Sequence, residues 1–71
     1  MMDNDISIIM NGFEETVPDS TTISQLIIRF KEGDVDLIVE HNGCFVYPSN
    51  YAATKVSPGD RVEFINPNFG G

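Results

Sequence analysis

Apolar residues recur at every second position near the start of the chain. Ile6, Ile8 and Met10 alternate with Ser7 and Ile9, the period of a half-buried strand. Asn11-Gly12 follows at once and predicts a hairpin, because a type I′ turn needs positive φ at both central positions. Residues 13–17 return as a second strand, with Phe13, Glu15 and Val17 on one face and Glu14 and Thr16 on the other. Pro18-Asp19-Ser20 closes the hairpin and opens a loop.

The period then changes from two to that of a helix. Ile23, Leu26, Ile27 and Phe30 fall at i, i+3, i+4 and i+7, one apolar stripe of a short helix. Thr22 is placed as its N-cap, with Gln25 three residues on to complete a capping box. Arg29 and Lys31 put positive charge near the C-terminal end, and Gly33 is the expected cap there.

Strand signals resume in the second half. Residues 37–41 read as a third strand, Asn42-Gly43 as a second hairpin turn, and residues 44–47 as a short fourth strand. Pro48 to Tyr51 predicts a loop or single helical turn, and Pro58-Gly59-Asp60 another turn. Residues 61–65 form the last strand, and Pro67, which lacks an N–H donor, ends its ladder. With one helix to cover one face of a mixed five-stranded sheet, the class is α+β. If the last strand inserts between the first and third, the architecture is a β-grasp. The expected organisation is one domain over residues 1–71, with 66–71 as a flexible tail. If Ile8, Val39 and Phe64 face the helix, period two turns Ile9, Ile38 and Ile65 outward. These three isoleucines are then expected to form one exposed row, rimmed by Glu40 and Glu63, suited to docking a protein.

Composition narrows the function classes. The 71 residues are 41% hydrophobic and 21% charged, which is globular rather than disordered. A single cysteine excludes an internal disulfide framework and points to a reducing compartment. The acidic start lacks the basic and apolar regions of a signal peptide, and no apolar run is long enough to span a bilayer. The expected location is the cytoplasm. A net charge of −7 disfavours nucleic acid and anionic lipid and favours encounter with a basic protein surface.

Few residues suggest chemistry of the chain's own. Cys44 and His41 flank a hairpin turn, but no third group is evident to orient them. Asp34-Val35-Asp36 lacks the glycine and distal glutamate of a calcium loop and reads as solvated. Tyr51 reads as packing at the core edge. Zinc spacing, a Gly-rich phosphate loop and a basic-aromatic strip are all absent from the sequence, so an independent enzyme is not expected and no metal site is assigned.

The ββαβββ order, the capped helix, "NGCFVYPSNYAATKVSPGDRVEF" and the closing "NPNFGG" together resemble the ThiS/MoaD sulfur-carrier proteins, from Ile6 to Gly71. Residues 42–51 resemble the thiamine branch, whose Asn-Gly turn precedes a proline and an aromatic. Here the proline comes one place later, at Pro48, and the branch's arginine is missing. The "FINPNFGG" ending is closer to the small subunits of molybdopterin synthase. The thiamine branch is favoured; the molybdopterin type remains the alternative.

The resemblance implies a carrier with no catalytic residues and no bound cofactor. Its Gly71 carboxylate is expected to be adenylated by an E1-like enzyme, which uses the ATP, and converted to a thiocarboxylate. A sulfur donor and an acceptor, thiazole synthase or the molybdopterin-synthase large subunit, complete the expected partners. Gly70 and Phe69 are expected to thread into those partners, since a glycine backbone passes narrow sites that a Cβ would block. Residues 67–71 would reach roughly 17 Å when extended. Two other classes share this tail: a ubiquitin-like modifier conjugated to lysine through Gly71, and an interaction module with an inert tail.

Overall fold

The computed structural model describes residues 4–67. Strand β1 (Asp5–Met10) pairs antiparallel with β2 (Phe13–Pro18), Ile8 opposite Glu15 and Met10 opposite Phe13. Between them Asn11 and Gly12 have φ of 49° and 88°, the left-handed pair a type I′ turn requires. Ile8 and Val17 are fully buried, as the alternation predicts, whereas Phe13 at the hairpin tip is exposed.

Helix α1 (Ile23–Arg29) is closed at both ends by identifiable hydrogen bonds. The Thr22 hydroxyl accepts from the Gln25 N–H (3.1 Å) and the Gln25 side chain accepts from the Thr22 N–H (2.9 Å), the predicted capping box. The N–H groups of Ile23 and Ser24 donate to the carbonyls of Thr54 and Tyr51, so the 51–56 segment satisfies the rest of the first turn. Ile23 and Leu26 are fully buried, together contributing roughly 3–6 kcal/mol of apolar transfer. Ile27 and Phe30 pack on the core edge.

The C-terminal cap differs from the expected glycine. Phe30 is the C-cap, and Lys31 takes the left-handed position that follows, at φ 60°. The Lys31 N–H donates to the Ile28 carbonyl (3.1 Å) and the Glu32 N–H to the Ile27 carbonyl (2.9 Å), a Schellman pair. Gly33 lies two residues too late to serve, and its φ is not positive.

Strand β3 (Ile38–His41) pairs antiparallel with β4 (Cys44–Val46) across Asn42-Gly43, where φ is again positive at both residues. Leu37 and Tyr47, expected inside these strands, lie just outside them. A 3-10 turn at Pro48–Asn50 follows, and the chain runs past the start of the helix with Val56 buried. It turns at Pro58-Gly59 into β5 (Arg61–Ile65). The sheet order is β2-β1-β5-β3-β4, with β5 parallel to β1 and antiparallel to β3. This is the β-grasp, with Ile8, Val39, Val62 and Phe64 facing the helix layer from the central strands.

Both Asn-Gly turns also hold β5 through their side chains. The Arg61 N–H donates to Asn42 Oδ1 (2.8 Å), while the Asn42 N–H donates to the Arg61 carbonyl (2.7 Å). At the other end, the Phe64 N–H donates to Asn11 Oδ1 (2.7 Å) and Asn11 Nδ2 to the Phe64 carbonyl (3.3 Å). The strand that ends closest to the C-terminus is thus gripped at its start and near its finish.

Lys31 is the strained position in this framework, since a left-handed φ is unfavourable for any residue with a Cβ. Replacing Lys31 by Gly relieves that strain and gives back part of the gain as unfolded-chain entropy. The expected net is a stabilisation of roughly 0.5–1 kcal/mol, or about 2–8 °C in Tm by thermal unfolding. An unchanged or lower Tm contradicts the assignment of Lys31 as the helix stop.

Candidate functional site

The candidate site is the open face of the sheet, opposite the helix, where β5 comes to its end. On β5 the residues alternate between buried Val62 and Phe64 and outward Arg61, Glu63 and Ile65. Register decides their neighbours. Ile38 of β3 stands directly opposite Ile65, and Glu40 directly opposite Glu63. Ile65 is 39% exposed and Ile38 half-buried.

Ile9 does not join them in one row. It is the partner of Arg61, four residues back along β5, or about 13 Å from the rung of Ile65. The parallel pairing of β1 with β5 places Ile9 at the start of β5, whereas the expected row needed it at the end. Ile9 is half-buried, with Glu14 of β2 on its other side.

Two aromatic residues extend the apolar rung instead. Phe45 of β4 is opposite Glu40, and continuing that register by one residue puts Tyr47 beside Ile38. Their rings meet edge to face at 4.7 Å and an interplanar angle of 89°, with Phe45 50% and Tyr47 63% exposed. Tyr47, Ile38 and Ile65 therefore cross the sheet from β4 to β5, next to Asn66 and Pro67. The sequence carried this signal in the period-two parity of Phe45 and Tyr47, but only the β3–β4 register shows which side they share.

The next rung is polar. Glu40 and Glu63 face each other across β3 and β5, and with Asn42, Gly43, Gly59 and Arg61 they line a shallow open groove. Directly opposed like charges weaken a strand pair. Arg61, two residues along from Glu63, lies on the same face. Acidic side chains beside an apolar rung make a surface complementary to a partner presenting a basic residue next to an apolar one.

The other chemical candidates resolve structurally. His41 and Cys44 are register partners, but His41 Nε2 meets Asp60 Oδ2 at 2.6 Å, and Cys44 is an exposed free thiol. Burial raises the Asp60 carboxyl, and the hydrogen bonds from His41, the Ser57 N–H and Asn42 outweigh it, holding it below its ordinary value. The sequence hid this partner because Asp60 lies 19 residues from His41, inside a turn signal. Asp34 Oδ1 accepts the Asp36 N–H (2.8 Å), a local loop bond. Among the described residues no group of side chains is arranged to hold a metal ion, and no helix is long and apolar enough to cross a membrane. Tyr51 packs against the core, as expected. Phe69, Gly70 and Gly71 lie outside the described residues.

The model of the ThiS family matches residues 5–71. None of the curated proteins compared matches the chain. Among solved structures, the thiamine biosynthesis protein (ThiS) from Geobacter metallireducens is similar, with a TM-score of 0.80 and 30% identity. The alignment covers 93% of this chain and all of that one.

The opposed carboxylates yield a direct test of the register. Glu63→Gln removes one like charge from the pair and is expected to stabilise the fold by about 0.2–1 kcal/mol, read as a higher urea midpoint. Glu40→Gln behaves alike, and the double variant gains little beyond either single one, because each removes the same repulsion. Fully additive gains would show that the two carboxylates do not interact.

Proposed function

The chain belongs to the ThiS family of small sulfur carriers, which are not themselves catalysts, and we propose that Gly71 is the group that carries the sulfur. The family works with an E1-like activating enzyme and a sulfur-transfer partner. In the proposed sequence, a Gly71 carboxylate oxygen attacks the α-phosphorus of ATP on the activating enzyme, and pyrophosphate leaves. The acyl-adenylate converts a poor electrophile into one with a good leaving group. A hydrosulfide-level nucleophile supplied by a donor then displaces AMP and leaves a thiocarboxylate. Its sulfur goes to the precursor of the thiamine thiazole, bound to a thiazole synthase. ATP belongs to the partner's site, and the carrier binds no cofactor.

The observation that carries this reading is the continuity of the family match through Gly70 and Gly71, on a chain whose central strand ends beside an exposed apolar rung. Such a carrier needs a surface that partners hold and an end that they process. Ile38, Ile65, Tyr47 and Phe45 supply the first, with Glu40 and Glu63 steering a basic partner; Ile9 lies at the margin. Phe69 and Gly70 supply the approach to Gly71, a pair of terminal glycines leaving room for close backbone contact.

ATP–pyrophosphate exchange by the cognate activating enzyme tests both parts. Gly70→Val is expected to lower exchange about 100-fold or more while its unfolding curve overlays that of the natural sequence. Ile65→Asp is expected to raise the KM for the carrier about tenfold with little change in kcat, because it disrupts docking and leaves Gly71 untouched. Normal exchange with Gly70→Val overturns the role of the tail, and an unchanged KM with Ile65→Asp overturns the docking surface.

A further inference from the structure

Asn11 makes contacts that a turn residue does not need. A type I′ turn requires only its positive φ, which glycine would supply as well. Its carboxamide instead closes a two-bond ring on the backbone of Phe64, 53 residues away. Along the β1–β5 interface, the Ile9 N–H donates to the Asp60 carbonyl (2.8 Å) and the Asn11 N–H to the Val62 carbonyl (2.9 Å). The next backbone groups of β5 on this side belong to Phe64. By then β1 has turned away into its hairpin, so no backbone remains to pair with them. The Asn11 side chain, with one donor and one acceptor in a plane, stands in for the missing peptide group.

The position of this clasp matters more than its existence. Asn42 uses its side chain on Arg61, at the opposite end of the same strand. Loss of either clasp frees backbone groups of β5, but only Asn11 acts where the strand gives way to Ile65, Asn66 and Pro67. We propose that Asn11 is a positioning residue for activation of Gly71: it fixes the end of β5, and so the point and direction from which the residues after Pro67 set out. This rests on the reading of Gly71 as the activated group.

Magnitude separates two ways the clasp could act. Even release of β5 from both neighbours as far back as Val62 would lengthen the stretch beyond the strand only from residues 66–71 to residues 63–71. The −3/2 power dependence of effective concentration on tether length makes that worth only about twofold. Misorientation at the base has a larger effect, since small displacements of a reacting group change rates by up to about 100-fold. A fall in kcat of about threefold or more therefore reports orientation and not slack.

Asn11→Gly and Asn42→Gly form the test, because each keeps the positive φ of its turn; the first deletes the clasp on Phe64, the second the side-chain bonds to Arg61 and Asp60 at the far end of β5. Both are compared with the natural sequence in carrier-dependent ATP–pyrophosphate exchange with the cognate activating enzyme, well below their unfolding midpoints. Asn11→Gly is expected to lower kcat at least about threefold with the carrier KM little changed, while Asn42→Gly keeps kcat within about twofold. Faster amide hydrogen exchange at Phe64 in Asn11→Gly accompanies the change. Equal effects from the two variants, or no effect of Asn11→Gly, overturn the proposal and leave Asn11 a structural clasp. Should Asn11→Gly fail to fold, Asn11→Asp, which keeps the acceptor for the Phe64 N–H, carries the same comparison. Failure of the natural sequence to support exchange would refute the underlying reading of Gly71, a result distinct from equality of the variants.

Discussion

The fold depends on holding β5 in the middle of the sheet. It is the last strand in the chain yet has neighbours on both sides, β1 parallel and β3 antiparallel. It supplies Val62 and Phe64 to the core and ends six residues before Gly71. Without it the β1–β2 and β3–β4 hairpins would be two separate pairs, each marginal in water. Hydrogen bonds from the turns of both hairpins converge on it: Asn42 on Arg61, Asn11 on Phe64, and His41 on Asp60 just before the strand begins. The proposed use of Gly71 by other proteins is thereby matched by an anchor six residues before it. Central placement also leaves one face of β5 open, since the single helix covers only the other.

That open face carries two kinds of information. The rung of Tyr47, Ile38 and Ile65 offers apolar area at the point where the chain leaves the sheet. The adjacent rung of Glu40 and Glu63 places two of the eleven acidic residues behind the −7 net charge beside it. Steering by charge mainly raises the rate of encounter, whereas apolar contact governs how long the complex lasts. A carrier that visits one enzyme and must leave for another is served by fast encounter on a small rung. Its chemistry is correspondingly delegated, and the His41–Asp60 pair beside Cys44 serves the strand junction rather than a reaction.

Local features and the β-grasp strand order were legible in the sequence; register and side-chain contacts between distant residues were not. Both Asn-Gly turns, the Thr22–Gln25 capping box and the parity of Ile8, Val39 and Phe64 follow from residues within a few positions of one another. The helix stop was displaced because the stripe ended at Phe30, and the chain reversed at Lys31 before reaching Gly33. The grouping of Ile9 with Ile38 and Ile65 failed for a different reason. Parity says which face a residue takes, but only the pairing of Ile9 with Arg61 says where along β5 it falls. The clasp of Asn11 on Phe64 had no signal beyond a turn motif that already accounted for the asparagine. At the end of the chain, by contrast, Gly70 and Gly71 stood out in the sequence itself, and the family match extends through them.

The state of Gly71 in protein purified from the organism that makes it is the most direct measurement. Cleavage after Arg61 releases residues 62–71, a peptide free of methionine, so oxidation of Met1, Met2 or Met10 does not interfere. A thiocarboxylate is expected to appear in a fraction of this peptide as a gain of about 16 Da, localised to Gly71 by fragmentation and lost on alkaline hydrolysis. A peptide found only as the free carboxylate in cells actively making the sulfur product, or joined through Gly71 to a lysine, contradicts the account.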